Sequence, residues 1–396
     1  MHGQGIRYVD GRDKGRGQLV VKVLLFANTD WYLYNFRRSL AIALRDAGYD
    51  VLLVSPPGPY GQRLQDLAFR WVAAPMERRS LNPLREAALV LWLKKLIQRE
   101  KVDLVHGFTI KCAVYGSLAS RLAGVAARVN AVAGMGYVFT SQDAKARLLR
   151  PVVRGLMRLA LDGPKARLIL QNPDDVALFE QAGLVDPSRI RLIMGSGVNC
   201  SRFAPGAERG QGGPMRVVLP ARLLWDKGVA EYVDAARMLR AEKRDIVFLL
   251  AGNPDPGNPA AVPEADVRGW ERDGLVQWLG HVDDMPGLFA SVDAVILPSY
   301  REGLPKGLIE AGASGLPLVT TDVPGCREVV TNEVDGLLVP ARDAAALARA
   351  IARLHDDPAL RARLGAAARE TALREFDERI VIERTVGVYR EVLAAG

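Results

Sequence analysis

The chain has 396 residues, 49 % of them hydrophobic and 25 % charged, with a formal net charge of +8. That length suffices for two domains with separate cores, and the composition excludes disordered and collagen-like classes. Cys112, Cys200 and Cys326 lie far apart without metal-ligand spacing, which argues against a disulfide framework or zinc site and fits a reducing compartment. The charge is unevenly spread. Residues 1–210 hold 31 Lys and Arg against 17 Asp and Glu, and the remainder holds 22 against 28. A basic first half suits an anionic partner such as nucleic acid, a phospholipid surface or a diphosphate, although an arginine-rich surface alone would give the same count. Residues 1–19 are polar and glycine-rich, without the apolar core of a signal peptide, and read as a flexible leader. No segment reaches the roughly 20 apolar residues of a membrane span.

The pattern then alternates. LVVKVLLF at 20–27 reads as a strand, ANTDWYLYN as a loop, and Phe36, Leu40, Ala43 and Leu44 as one face of a helix over 35–47. A second strand, DVLLVSP, comes at 50–56, and such alternation indicates a parallel, doubly wound sheet. The G-x-G-x-x-G of dinucleotide-binding enzymes is missing after the first strand, so an oxidoreductase is discounted. Residues 83–100 form an amphipathic helix, leading into a strand that ends near His106. A histidine there lies where open α/β sheets bind ligands, yet a lone histidine is more often structural. VNAVAGMGYVFTSQ at 129–142 is a strand with a glycine-rich turn. At 145–160, Arg147, Arg150, Arg154 and Arg158 share one helix face beside many leucines and valines. This helix suits a membrane interface, though the sequence alone favours a core-packed surface helix with a solvated basic stripe. Strands at 167–171 and 190–194, and the turn GSGVN at 195–199, close a first domain over 20–203.

APGAERGQGGP at 204–214 reads as a linker. A second alternating domain spans 215–376, and a last helical stretch spans 377–396. Within the second domain, VVLPARLLWDKGV carries Arg222 and Lys227 in a loop before a helix over 229–241. A planar fork beside a point charge suits a diphosphate. DAVILPS at 293–299 is a buried strand, and REGLPKGLIEAGASGLP at 301–317 is a loop and helix with Pro305 in its first turn. The amide groups of such a helix end attract phosphate, and Glu302 and Glu310 flank them with carboxylates suited to sugar hydroxyls.

With the Arg222–Lys227 pair and an intact E-x7-E motif at Glu302 and Glu310, the chain resembles the retaining sugar-nucleotide glycosyltransferases of family 4, from about residue 20 to the end. The resemblance implies the GT-B fold: two Rossmann-like, doubly wound α/β domains facing across a cleft, with residues 377–396 crossing back to the first. It implies a UDP-sugar donor, no cofactor and no required metal. Arg222, Lys227, Glu302 and His106 would be catalytic, His106 contacting the donor sugar from the opposite domain. Gly303, Leu304, Pro305 and Lys306 would meet the diphosphate, Glu310 the ribose, and His281 and Val282 the base, with Gly197 near the hinge. The GMGYVFT segment resembles the subgroup that extends polyprenyl-diphosphate-linked saccharides for surface polysaccharides. This implies an N-acetylhexosamine donor and an acceptor side built from Asp30, Trp31, Lys111, Gly134, Gly136 and Tyr137. It also implies a cytoplasmic protein held peripherally on the anionic inner leaflet. Rival readings are another GT-B enzyme (a 2-epimerase, or a phosphorylase with a pyridoxal lysine) and a non-catalytic basic membrane- or nucleic-acid-binding protein. Nucleic acid is not expected, because the basic residues scatter rather than interleave with aromatics on one face.

Overall fold

A computed structural model describes residues 20–77, 80, 82–132, 154–206 and 213–395. Short runs of Val, Leu and Ile become the strands of two sheets. The first contains β1 (Lys22–Phe26), β2 (Asp50–Ser55), β3 (Arg70–Ala73), β4 (Leu104–Phe108), β5 (Ala127–Ala131), β6 (Ala166–Leu170) and β7 (Ile190–Leu192). The second contains β8 (Met215–Pro220), β9 (Ile246–Ala251), β10 (Gln277–Gly280), β11 (Ala294–Leu297), β12 (Leu318–Thr321) and β13 (Leu337–Val339). Their orders are 3-2-1-4-5-6-7 and 10-9-8-11-12-13. The pairing is parallel, with Leu24 opposite Leu52 and Val105 in the first sheet and Val218 opposite Leu249 and Val295 in the second. Central strands of such sheets are covered on both faces, which is why β1, β4 and β11 are apolar almost throughout.

The helices that shape the cleft are α1 (Arg38–Asp46), α2 (Pro83–Glu100), α3 (Ile110–Ala123), α4 (Pro173–Gln181), α5 (Val229–Ala241), α6 (Lys306–Ala313) and α7 (Glu378–Ala394). Local signals set several bounds. Asn82 caps α2 ahead of Pro83, and Asn172 caps α4 ahead of Pro173. One expected loop is helical instead. Thr29 caps a turn at Asp30–Tyr32 that continues through a π-turn at Leu33–Arg37 into α1.

The chain returns to the first domain at its end. Val198 and Asp377 form a parallel bridge, with the Val198 amide donating to the Phe376 carbonyl and the Glu378 amide to that of Val198. Val381, Val388, Tyr389 and Val392 of α7 then pack into the core over β1, β4 and β5. At its far end, Glu391 accepts from Arg167 at 2.7 Å and Arg191 at 2.5 Å. Burial pushes the Glu391 carboxyl up, but the two guanidinium groups outweigh it and hold it below its ordinary range.

No described helix is long and apolar enough to cross a membrane. Of the basic helix at 145–160, residues 145–153 lie outside the described part, and 154–161 are helical. Met157, Ala160 and Leu161 pack against Leu168 and Phe179, while Leu156 and Leu159 are exposed along with Arg154 and Arg158. Gly134, Gly136 and Tyr137, the leader and linker residues 207–212 also lie outside it.

Candidate active site

The carboxyl ends of the strands of both sheets meet at a cleft. A cavity of about 180 Å³ lies there, lined by Tyr32, Phe36 and Arg37 after β1, the Gly195–Gly197 turn after β7, and the loop from Gly303 to Lys306. Crevices at strand ends are where open α/β sheets take ligands.

On the second domain, Lys227 sits in the turn before α5 and Glu302 in the loop after β11. Lys227 Nζ and Glu302 Oε1 are 2.5 Å apart, and both side chains are largely buried. Ser299 Oγ also donates to Glu302 Oε1, at 2.6 Å. Gly228, at φ +72°, makes this approach possible, because a Cβ there would lie 2.1 Å from the Pro298 carbonyl oxygen. α6 begins at Lys306 after Pro305, with no side chain capping it. The N–H groups of Lys306 and Gly307 therefore precede the first intrahelical donor, Leu308, leaving free donors and a positive dipole end at the cavity. Lys306 Nζ lies 3.5 Å from Glu310, one turn along. Burial pushes the Glu310 carboxyl up from its ordinary range, against the pull of Lys306 and Arg202. Arg222 comes after β8, but its side chain is 54 % exposed and donates to Asp255 at 2.7 Å. His281 is exposed, 3.3 Å from Asp283, while Val282 packs onto the core under β11.

The same loop touches the first domain. Asn172 Nδ2 donates to the Gly303 carbonyl at 2.9 Å, Arg301 pairs with Asp175 at 2.7 Å, and Lys306 donates to the Asn35 carbonyl at 2.8 Å. Gly197, at φ +74°, lines the cavity with its Cα turned toward Glu378.

Three expectations on the first domain change. His106, expected beside the donor sugar, is 1 % exposed, and its Nδ1 lies 2.5 Å from the Tyr389 hydroxyl of α7. Burial, and then the charge of Arg37, push its pKa well below the ordinary value, which favours the neutral ring. Asp30 is buried too, its carboxylate accepting from the amides of Trp31, Tyr60 and Gly61 at 2.6–2.9 Å. Those contacts tie the turn after β1 to the loop before Gly61. Lys111 donates to the carbonyls of Glu77 and Ser80 and to Glu86, which uses all three of its protons. Trp31 remains at the surface, its ring 5.3 Å from that of Phe36.

Sequence reasoning missed Ser299, Asn172, Tyr32, Phe36 and Arg37. The aromatic-rich run DWYLYNFRR directly after the first strand was the available signal for the last three.

Two parallel-sheet domains meeting across a cleft have the architecture of the GT-B class. Family models agree: one described as glycosyl transferases group 1 matches residues 214–357, and one described as glycosyl transferase 4-like matches residues 22–172. The N,N'-diacetylbacillosaminyl-diphospho-undecaprenol alpha-1,3-N-acetylgalactosaminyltransferase of Campylobacter jejuni is 30 % identical over 372 residues, covering 91 % of this chain and 96 % of that one. The UDP-Gal:alpha-D-GlcNAc-diphosphoundecaprenol alpha-1,3-galactosyltransferase of Escherichia coli is 27 % identical over 321 residues, 78 % of this chain and 80 % of that one. Among solved structures, Anabaena Alr3699/HepE in complex with UDP and glucose superposes with a TM-score of 0.76 at 19 % identity, covering 94 % of this chain and all of that one. A glycosyltransferase from Rickettsia africae gives 0.78 at 18 %, covering 96 % and 100 %. The chain belongs to the family 4-like, group 1 glycosyltransferases.

Proposed function

We propose that this glycosyltransferase moves an N-acetylhexosaminyl residue from a UDP-sugar to a polyprenyl-diphosphate-linked saccharide, with retention at the anomeric carbon and without a metal or other cofactor. The observation that carries the chemistry is the Lys227–Glu302 pair beside the uncapped start of α6. The acceptor class rests on the likeness, over nearly the whole chain, to a transferase named for a diphospho-undecaprenol substrate.

In this reading the bond from the anomeric carbon to the β-phosphate oxygen breaks, and its electron pair stays on the diphosphate. Lys227, Arg222 and the α6 amides stabilise that charge as it grows, which is the most effective place for preorganised donors. Lys306, Gly303 and Leu304 hold the diphosphate, Glu302 accepts from hydroxyls of the sugar, and Glu310 from those of the ribose. The acceptor oxygen enters on the same face and gives its proton to the departing phosphate oxygen. Arg222 must exchange Asp255 for the diphosphate, a rotation its exposed position allows. Among the described residues, exposed Trp31 bounds the acceptor side. The basic first domain then faces the anionic inner leaflet on the cytoplasmic side.

The test is UDP release from a panel of UDP-sugars, with and without a polyprenyl-diphosphate-linked monosaccharide, in the presence of chelator. Release only with one UDP-N-acetylhexosamine plus the lipid acceptor, and an α-linked product by NMR, is expected. Release without acceptor would replace this reading with hydrolysis or epimerisation. A chelator-sensitive rate would overturn metal independence.

A further inference from the structure

The first domain contributes to the cleft a cation that the donor assignment leaves unused. Arg37 closes the π-turn Leu33–Arg37, lines the cavity and is 5 % exposed. Its guanidinium lies 4.4 Å from the ring centre of Phe108 and 5.5 Å from that of Tyr32. Nη2 donates to the Tyr32 hydroxyl at 2.9 Å, while Nε is buried without an acceptor among the described residues.

The carboxylates around the cleft are committed elsewhere. Asp30 holds backbone amides, Glu302 pairs with Lys227, and Glu310 lies against Lys306. Behind Arg37, the His106 ring stands 4.0 Å from that of Phe108, and its buried Nε2 also has no partner among the described residues. An arginine cannot shed its proton, and a buried guanidinium without a counter-ion is costly. The backbone is adapted to keep it there. A π-turn inserts one residue, rotating the rest of the helix by about 100° relative to an unbroken α-helix. With that insertion Tyr32, Phe36 and Arg37 all reach the cavity wall. Across the cavity stand the Gly195–Gly197 turn, Gly303 and Lys306, also without a carboxylate.

We propose that Arg37 binds a phosphoryl group of a diphosphate, closing from the first domain the anion site that Lys227 and α6 open from the second. This rests on the glycosyl-transfer reading for the identity of the ligand, since both substrates in that reading carry a diphosphate. The fork of the guanidinium would give two parallel hydrogen bonds to phosphoryl oxygens, with the aromatic walls excluding water.

Calorimetric titrations of the wild-type chain, Arg37→Met and Arg37→Lys with UDP, farnesyl diphosphate and farnesyl monophosphate test it. Arg37→Met should lose affinity by about tenfold or more for one diphosphate, and Arg37→Lys should retain part of it. A loss toward UDP identifies the donor's diphosphate. A loss toward farnesyl diphosphate, but not the monophosphate, identifies the acceptor's. Unchanged affinity for both in a folded Arg37→Met protein would overturn the proposal, leaving Arg37 as packing between aromatic rings. Should Arg37→Met not fold, amide exchange in the wild-type chain decides: a bound diphosphate should slow exchange across Leu33–Arg37, and no protection there with either ligand would overturn the proposal. If wild-type protein binds both diphosphates yet transfers no sugar, the glycosyl-transfer reading fails while the anion site stands.

Discussion

Removing Lys227 should separate a structural contribution from a catalytic one. The ammonium lies 2.5 Å from Glu302 Oε1, with the two side chains 18 % and 12 % exposed. Breaking a fully buried pair by deleting one partner costs about 3–5 kcal/mol. Here both groups keep some contact with solvent, and Ser299 still donates to the stranded carboxylate. Lys227→Met should therefore cost about 1–3 kcal/mol, the penalty of an under-satisfied buried acceptor. For a domain of this size that is a fall of roughly 2–4 °C per kcal/mol in its unfolding midpoint. Glu302→Gln in the Lys227→Met background removes the stranded charge and should recover most of the loss. Turnover should behave differently. Losing one preorganised donor to a departing oxyanion costs about 10²–10³ in kcat, and the double variant should stay as slow as Lys227→Met. The assays are thermal unfolding of wild type, both single variants and the double, with UDP release at saturating donor. A double variant as unstable as Lys227→Met would refute the pairing argument. Turnover of Lys227→Met within about threefold of wild type would refute the leaving-group role, since it leaves less than 1 kcal/mol for the interaction.

Gly228→Ala should drop kcat at least about tenfold and lower stability by roughly 1–3 kcal/mol, because its Cβ would lie 2.1 Å from the Pro298 oxygen at a left-handed φ; steady-state kinetics and unfolding measure both. Tyr389→Phe leaves the buried His106 Nδ1 without its partner and should cost about 1–3 kcal/mol with kcat unchanged, whereas a large fall in kcat at constant stability would return His106 to the reaction centre. Glu391→Gln should cost up to about 1 kcal/mol near neutral pH, the pair being about a third exposed. Because the folded carboxyl titrates below its ordinary value of 4.5, the wild-type advantage is fully present above that value and fades as pH falls through the lowered one. Urea unfolding of both proteins at neutral and acid pH tests this, and an advantage that grew on acidification would contradict the Arg167–Arg191 clamp.

Elements defined by local chemistry were readable in the sequence. Val229–Ala241 and Pro83–Glu100 coincide with the helices expected from apolar spacing and Pro or Gly boundaries. Glu302 and Lys227 could be found because loops at strand ends are fixed by the strands themselves, so motif order predicts proximity. His106, Asp30 and Lys111 could not be assigned this way, since each is decided by a remote partner. The Tyr389 hydroxyl is 283 residues from His106, and the amide of Gly61 is 31 from Asp30. A polar residue at a strand end can face a ligand or satisfy a loop, and only tertiary packing chooses. The π-turn is hidden for the same reason: propensity does not encode where one residue is inserted, so the aromatic-rich run does not show which of its side chains reach the cavity.

Three of the contacts across the cleft are made by one loop, which would tie closure to donor organisation. Residues 301–306 pair with Asp175 through Arg301, accept from Asn172 at the Gly303 carbonyl, and reach the Asn35 carbonyl through Lys306. The same six residues carry Glu302 and lead into the uncapped end of α6. Parting the domains would break all three contacts and free the loop that should hold the sugar and the diphosphate. Closing them restores the loop and brings Arg37 to the same cavity. A donor bound to the second domain alone would lack the first domain's cation, so a diphosphate that both walls grip favours the closed arrangement by its differential contacts. Such an arrangement would exclude water before the glycosidic bond weakens, which is what a transferase needs if it is not to hydrolyse its donor.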